Sequence, residues 1–258
     1  MVIAKALGIA MDSIIYMQIK AQIDKLITEL YVCYSQYAPF AITEGYFQRL
    51  MLMDNITELQ TLPAHLISAQ AIKAYLQYID GDPEIIIAQI KYLLPRIIEL
   101  FNKGEEINTY LEMNFVRFQL NHTERWNQQE IKQIKKFAKL HFQKIIIEHD
   151  QVIYMPLEEL FIMWTKAGLN TDFLLETWLE MSMYPKAITN YVHLLNNFDG
   201  MKYSHPDAPN SFSKNIGAWA FSPQVINTFK SQLPPNTDSI KSLDEWEVID
   251  YEFLRYFS

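Results

Sequence analysis

The chain has 258 residues, half of them hydrophobic, and 30 acidic against 22 basic side chains give a formal charge of −8. Seven glycines, no two within five positions, exclude dinucleotide fingerprints and P-loops, which need closely spaced glycines to bring backbone N–H groups onto phosphate. A single cysteine, Cys33, excludes a disulfide framework and a thiolate zinc cluster and fits a reducing compartment.

Residues 1–17 are broken by Lys5 and Asp12 and carry too short an apolar run for a signal peptide, so they read as part of a first buried helix. No run approaches the ~18 apolar residues of a membrane span. The expectation is a cytoplasmic protein, monomeric or weakly associating, that acts neither in a membrane nor on nucleic acid. The first clear helical stripe has Ile15, Ile19, Ile23, Leu26, Ile27, Leu30 and Tyr34 at three-and-four spacing, with Asp12 or Ser13 as its cap. Cys33 on this helix reads as an inert core thiol. A short segment over 43–53 precedes a helix over 64–79. Pro83 then starts a helix over 83–101 in which Pro95 predicts a kink or break near Leu94. Gly104 separates it from a helix over 105–120.

Asn127 and Glu130 form a capping box opening a helix to about residue 148. Segments over 157–167, closed by Gly168, and 172–182, capped by Thr171, follow. Pro185 begins a helix over 186–197. Turn residues fill 199–221, which reads as a long surface loop holding His205, Phe212 and Trp219. A helix over 223–233 and a second capping box, Ser242 with Glu245, complete the chain. The whole reads as one all-α domain over 1–258, an irregular or solenoid-like array of about ten helices with a possible sub-boundary near 149–156.

Catalytic constellations are thin. His149-Asp150, with His122 upstream and Asp172 downstream, faintly resembles the histidine–aspartate metal phosphohydrolases. A metal-dependent hydrolase using His122, His149 and Asp150 is therefore one alternative function, and a scaffold module is another. The residues favour a chain with no catalytic residues, no metal and no cofactor, because His149 sits where a helix C-terminus favours histidine anyway. His141 and His193 read as partly buried helix residues. Lys132, Lys135, Lys136, Lys139 and Lys144 read as a solvated helix face, since the stripe has no arginine or interleaved aromatics.

The segment 237–258 sets six acidic side chains against Lys241 and Arg255 and also carries Trp246, Tyr251, Phe253, Tyr256 and Phe257. Acidic residues steer a basic partner and aromatics anchor it. Asp244, Glu245, Glu247, Asp250 and Glu252, with His205, Phe212 and Trp219 of the expected loop, are thus the candidate partner-binding surface.

Tyr75-x-x-Tyr78, Gly81-Asp82 and Tyr92-Leu93-Leu94-Pro95-Arg96-Ile97-Ile98-Glu99-Leu100, followed by Trp126 and Glu130, resemble an uncharacterised bacterial all-helical family over roughly residues 34–145. That family's core is a Phe/Tyr-x-x-Leu-Pro-Arg-x-x-Glu-Leu helix followed by Trp-x-x-x-Glu. Its members often have a Cys-x-x-Cys-like stretch where this chain reads Thr43-Glu44-Gly45-Tyr46-Phe47, so no metal or redox role is implied here. The resemblance implies a fold and no activity. Within the motif Pro95 frees the carbonyl of Lys91, while Arg96 and Glu99 share a face and can pair, so Pro95, Arg96, Glu99 and Trp126 read as structural. The functional expectation is a non-catalytic interaction protein of the immunity or antitoxin kind, neutralising a basic toxin or effector domain.

Overall fold

The computed structural model describes residues 2–37, 53–78, 81–105, 107, 115–147, 157–204 and 210–232; within these, the side chains at 2–12, 53, 158, 185, 196–204 and 210–214 are outside the description. The described residues form ten α-helices and no strand: α1 (Val2–Tyr34), α2 (Met53–Thr61), α3 (Ala69–Tyr78), α4 (Pro83–Asn102), α5 (Gln128–Ile147), α6 (Leu157–Lys166), α7 (Asp172–Glu180), α8 (Pro185–Ser204), α9 (Asn210–Ala220) and α10 (Pro223–Ser231). The periodicity therefore gave the fold class correctly. The chain divides into two compact units, Met1–His141 with Lys166–Leu169, and Phe142–Thr165 with Asn170–Ser258. This division falls within α5, upstream of the expected sub-boundary at 149–156.

In unit one, α1 is longer than its apolar stripe. The helix starts at Val2 and runs through Asp12 and Ser13, so neither residue caps it. Ile19, Ile23, Leu26, Ile27, Leu30 and Tyr34 are buried as their spacing requires. Cys33 is exposed rather than buried, because it lies off that stripe. Residues 54–61, expected in no element, complete α2, and a 3-10 turn over Ala64–Leu66 precedes α3. Asp82 caps α4 by accepting from the Glu84 N–H at 2.8 Å. The helix then passes through Pro95 without a break. Leu93, Leu94, Ile97 and Ile98 are all buried beside the proline, so packing holds the helix together where one backbone bond is missing.

The helix expected over 105–120 is not continuous. Glu105 and Ile107 are not helical, Val116–Phe118 is a 3-10 turn, and Gln119 takes a left-handed φ of 49°. Tertiary partners replace helical ones there: Trp126 Nε1 donates to the Phe118 carbonyl (2.6 Å) and the Leu120 N–H donates to the Ala167 carbonyl (2.7 Å). Gly168, at φ 97°, makes that second contact possible. A Cβ on it would sit 2.7 Å from the Asn121 backbone nitrogen and 2.9 Å from that of Leu120.

Unit two is built on aromatic rings. Phe142 and Phe161 meet edge-on at 5.3 Å, Trp178 lies 6.0 Å from Phe161, and Tyr191 stacks on Phe229 at 4.1 Å. Trp178 Nε1 donates to the Ala187 carbonyl (3.0 Å) and the Tyr191 hydroxyl to that of Ala220 (2.5 Å), so the polar ends of these rings are satisfied. The long loop expected over 199–221 is corrected: α8 continues to Ser204 and α9 occupies Asn210–Ala220. Buried Ile216 and Ala220, with Trp219 between, follow helical three-and-four spacing that the surrounding turn residues obscured. Thr171 does not cap α7 with its side chain. Its hydroxyl pairs with that of Thr165 at 3.1 Å, and Asn170 Oδ1 accepts from the Asp172 N–H at 2.8 Å instead. The second capping box, Ser242 with Glu245, lies outside the described residues.

Gly168→Ala is expected to lower stability by more than about 1 kcal/mol, since it combines an unfavourable φ with a backbone collision. Gly81→Ala, also at positive φ but with nothing within 4 Å, should cost less. Urea denaturation midpoints of the two variants test the order.

Candidate functional site

The carboxylates of Glu130 and Glu99 organise the polar interior of unit one. Glu130 fulfils its capping-box role: its Oε2 accepts from the Asn127 N–H (2.8 Å) while Asn127 Oδ1 accepts from the Glu130 N–H (2.9 Å). The same Oε2 accepts from Lys91 Nζ at 2.9 Å, and Oε1 accepts from the Tyr37 hydroxyl at 3.1 Å. This ion pair is buried, with side chains only 10% and 8% exposed. The Lys91 ammonium also lies 5.0 Å from the Trp126 ring centroid and 5.6 Å from that of Tyr37. One lysine and one glutamate thus join α4, the start of α5 and the residues just after α1.

Glu99 is the second centre. Its Oε2 accepts from the Tyr31 hydroxyl (2.6 Å) and Arg96 Nη1 (2.9 Å), and its Oε1 from Lys103 Nζ (2.6 Å). Arg96 Nε also donates to the Ile67 carbonyl at 2.8 Å, fixing the approach to α3. Burial alone would raise the Glu99 pKa, but the hydrogen bonds from Lys103, Tyr31 and Arg96 outweigh it and hold the carboxyl at about 2. The expected Arg96–Glu99 pair is therefore present. It has further polar neighbours in Tyr31 and Lys103, which the sequence reading had not placed beside it.

Between these centres lies a cavity of about 600 Å3. Tyr31 and Tyr34 from the end of α1, Tyr37 just beyond it and Tyr92 from α4 wall it, and Pro63, His65 and Pro95 complete much of the rest. The Tyr31 and His65 rings meet edge-on at 6.2 Å, and the Tyr34 and Tyr37 rings are 5.8 Å apart. Three of the hydroxyls are engaged: Tyr31 with Glu99, Tyr37 with Glu130, and Tyr92 with the Leu62 carbonyl at 2.9 Å. The fourth, on Tyr34, is buried with no hydrogen-bond partner. Burial pushes the Tyr34 hydroxyl's pKa well up, reinforced by Glu130, Tyr37 and Cys33. Tyr31 is raised by burial and by Glu99, and Tyr37 by burial and by Glu130. At neutral pH these tyrosines are protonated donors and Glu99 is ionised. These four groups therefore keep their protonation states through the neutral pH range.

The candidate residues distribute unevenly over this geometry. Pro95 lines the cavity, Arg96 and Glu99 stand beside it, and Trp126 packs against Lys91 at the other centre. Trp219 is instead drawn into unit two, with its ring 5.4 Å from Trp178 and 6.0 Å from Tyr191. His205, the acidic residues Asp244, Glu245, Glu247, Asp250 and Glu252, and the side chain of Phe212 lie outside the description. So do His149 and Asp150. His122 Nδ1 lies 2.7 Å from Glu124 Oε1, and among the described residues no group of three or more His, Cys, Asp or Glu could hold a metal. His141 is buried, its ring 4.7 Å from Phe101 and 5.4 Å from Phe137, whereas His193 is exposed, contrary to expectation. Lys132 and Lys136 are exposed and Lys135, Lys139 and Lys144 half-buried. No helix among the described residues is long and apolar enough to cross a membrane.

Tyr31 and Tyr37 are not singled out by the sequence, and Tyr34, Tyr92 and Lys91 stand there only as parts of a helix stripe and a motif. The available signal was a lysine inside the apolar run Ile85 to Leu94, which marks a buried charge in need of a partner. Compared with known protein families, curated proteins and solved structures, the chain finds no match.

Lys91→Met should destabilise by about 3 kcal/mol or more, because it leaves the Glu130 carboxylate buried without its counter-charge. Arg96→Ala should cost about 1–3 kcal/mol, through lost charge-assisted bonds to Glu99 and Ile67. Chemical denaturation measures both. The depressed Glu99 pKa fixes the sign of an acid effect: its ordinary value is 4.5, so its stabilisation is complete above that pH and disappears as pH falls towards 2. Glu99→Gln should flatten the stability profile between pH 5 and pH 2, a window read by thermal melts at stepped pH.

Proposed function

We propose that the chain is a non-catalytic interaction protein of the bacterial immunity or antitoxin kind, which neutralises a basic toxin or effector domain by binding it. The observation that carries this reading is the state of the charges in unit one. Lys91 is matched by Glu130 and Arg96 by Glu99, and the Glu99 carboxyl and the tyrosines titrate far from neutrality. Such groups hold a shape and do not shuttle protons.

The sign of the partner follows from the formal charge of −8 and its concentration in 237–258, where Asp244, Glu245, Glu247, Asp250 and Glu252 stand among aromatic residues. A field of this sign attracts a basic domain over about a Debye length and raises the rate of encounter. The surface proposed is this segment with His205 and Phe212; Trp219 is left out of it because its ring packs on Trp178 within unit two.

The test is association of the purified protein with basic domains encoded beside it, followed by stopped-flow at several salt concentrations. Exchanging Glu247→Lys and Asp250→Lys together should slow association roughly tenfold at low salt and weaken its salt dependence. The melting temperature should be nearly unchanged. Equal association rates for wild type and double variant would overturn the electrostatic surface, and failure to bind any such domain would overturn the immunity reading.

A further inference from the structure

We propose that α1 pairs antiparallel with α1 of a second copy of this chain, through the face opposite its buried stripe. The inference is independent of the toxin-binding reading. Ile19, Ile23, Leu26, Ile27, Leu30 and Tyr34 turn one side of the helix into unit one, whereas Ile14 and Met17 are 58% and 61% exposed, with Gln18 and Ala21 exposed beside them. By helical geometry this second row lies on the far side from the first. Ile14, Met17, Gln18 and Ala21 stand at positions i, i+3, i+4 and i+7, and with Ser13 they line a shallow recess of about 420 Å3. Four residues at that spacing form the hole that receives one side chain of a facing helix in knobs-into-holes packing. The recess therefore fits a helix. In sequence its row continues upstream through Ala10, Leu7 and Ile3, in alternating steps of three and four that make a heptad seam over 3–21. Asp24, Lys25 and Thr28 end the seam, and Val32, exposed on the same line, stands beyond that break.

The composition of the seam selects the occupant. In an antiparallel copy centred on residue 12, the register sets Ile3 against Ala21, Leu7 against Met17 and Ala10 against Ile14 across a two-fold axis. Each alanine then faces an isoleucine, and Leu7 is the knob for the recess between Ile14 and Ala21. A parallel copy would set alanine on alanine and leave two thin layers. The flanking Ser13, Gln18 and Gln22 carry no charge, so a chain of net charge −8 does not repel itself along this line. Charge complementarity comes at the ends. In this register Asp24 lies beside the amino-terminal end of the other α1, whose first turn holds no acidic residue to offset the helix dipole. The stripe from Ile19 to Tyr34 points away from the other copy in both chains, which leaves room for the two folded units.

Analytical ultracentrifugation of the full-length protein across the micromolar range tests the proposal. The expected result is a reversible equilibrium between monomer and dimer. Ile14→Glu with Met17→Glu should weaken it about tenfold or more, and in the dilute, monomeric range should leave helicity and melting temperature unchanged, since both side chains are exposed. If that double variant melts early, Ala21→Glu, also at an exposed position of the recess, takes its place. Cys33 is the one cysteine, exposed and outside the seam, so a spin label on it reads the orientation. At a rise of about 1.5 Å per residue, antiparallel pairing sets the two labels more than about 55 Å apart, and parallel pairing would bring them within about 25 Å. The short distance would overturn the proposal. So would a chain that stays monomeric up to sub-millimolar concentration, or a dimer that both sets of substitutions leave intact. Sedimentation with vesicles of phosphatidylcholine and phosphatidylglycerol in place of self-association would overturn it as well.

Discussion

A lysine and a glutamate removed from water impose a strong constraint on unit one. Each ion costs several kcal/mol to bury, and the pair is tolerable only if geometry and further hydrogen bonds recover that cost. Lys91 and Glu130 meet the requirement by recruiting neighbours. Asn127 donates its backbone N–H to the carboxylate, Tyr37 its hydroxyl, and the Trp126 and Tyr37 rings lie near the ammonium. Because these groups come from three parts of the chain, satisfying the pair ties the middle of α4 to the beginning of α5 and to the residues just after α1.

The cavity is a consequence of that arrangement. Tyr37 reaches Glu130 and Tyr31 reaches Glu99, so the two carboxylates hold a tyrosine of the last turn of α1 and one just beyond it at opposite ends of one space. Tyr34, midway between them in sequence, finds no carboxylate and keeps its hydroxyl unengaged.

Sequence reading reached the helices whose apolar spacing is uninterrupted and failed where tertiary partners replace local ones. The stripe from Ile19 to Tyr34 and the capping box at Asn127 and Glu130 needed only neighbours within a few residues. Around Phe118 and Leu120 the backbone groups are satisfied by Trp126 and Ala167, contacts that leave no trace in local periodicity. The 199–221 segment failed for the opposite reason, since its abundant turn residues masked a helical triplet at Ile216, Trp219 and Ala220. Of the candidate site, Arg96 with Glu99 could be seen because they are three apart on one helix. Lys91 with Glu130, 39 residues apart, and Tyr31 with Glu99, 68 apart, could not.

Gly168 and its neighbours carry a consequence for how the protein is made. Unit one includes Lys166–Leu169, although the chain has left that unit at Phe142. The N–H of Leu120 is met by a carbonyl from this returning piece, and the glycine beside it allows the close approach. During synthesis the amino-terminal helices therefore emerge well before the last part of their own interior exists. Domains assembled from contiguous chain can complete folding as they leave the ribosome. This one must hold an incomplete arrangement, with the backbone around Leu120 still open to solvent, until residue 169 has emerged.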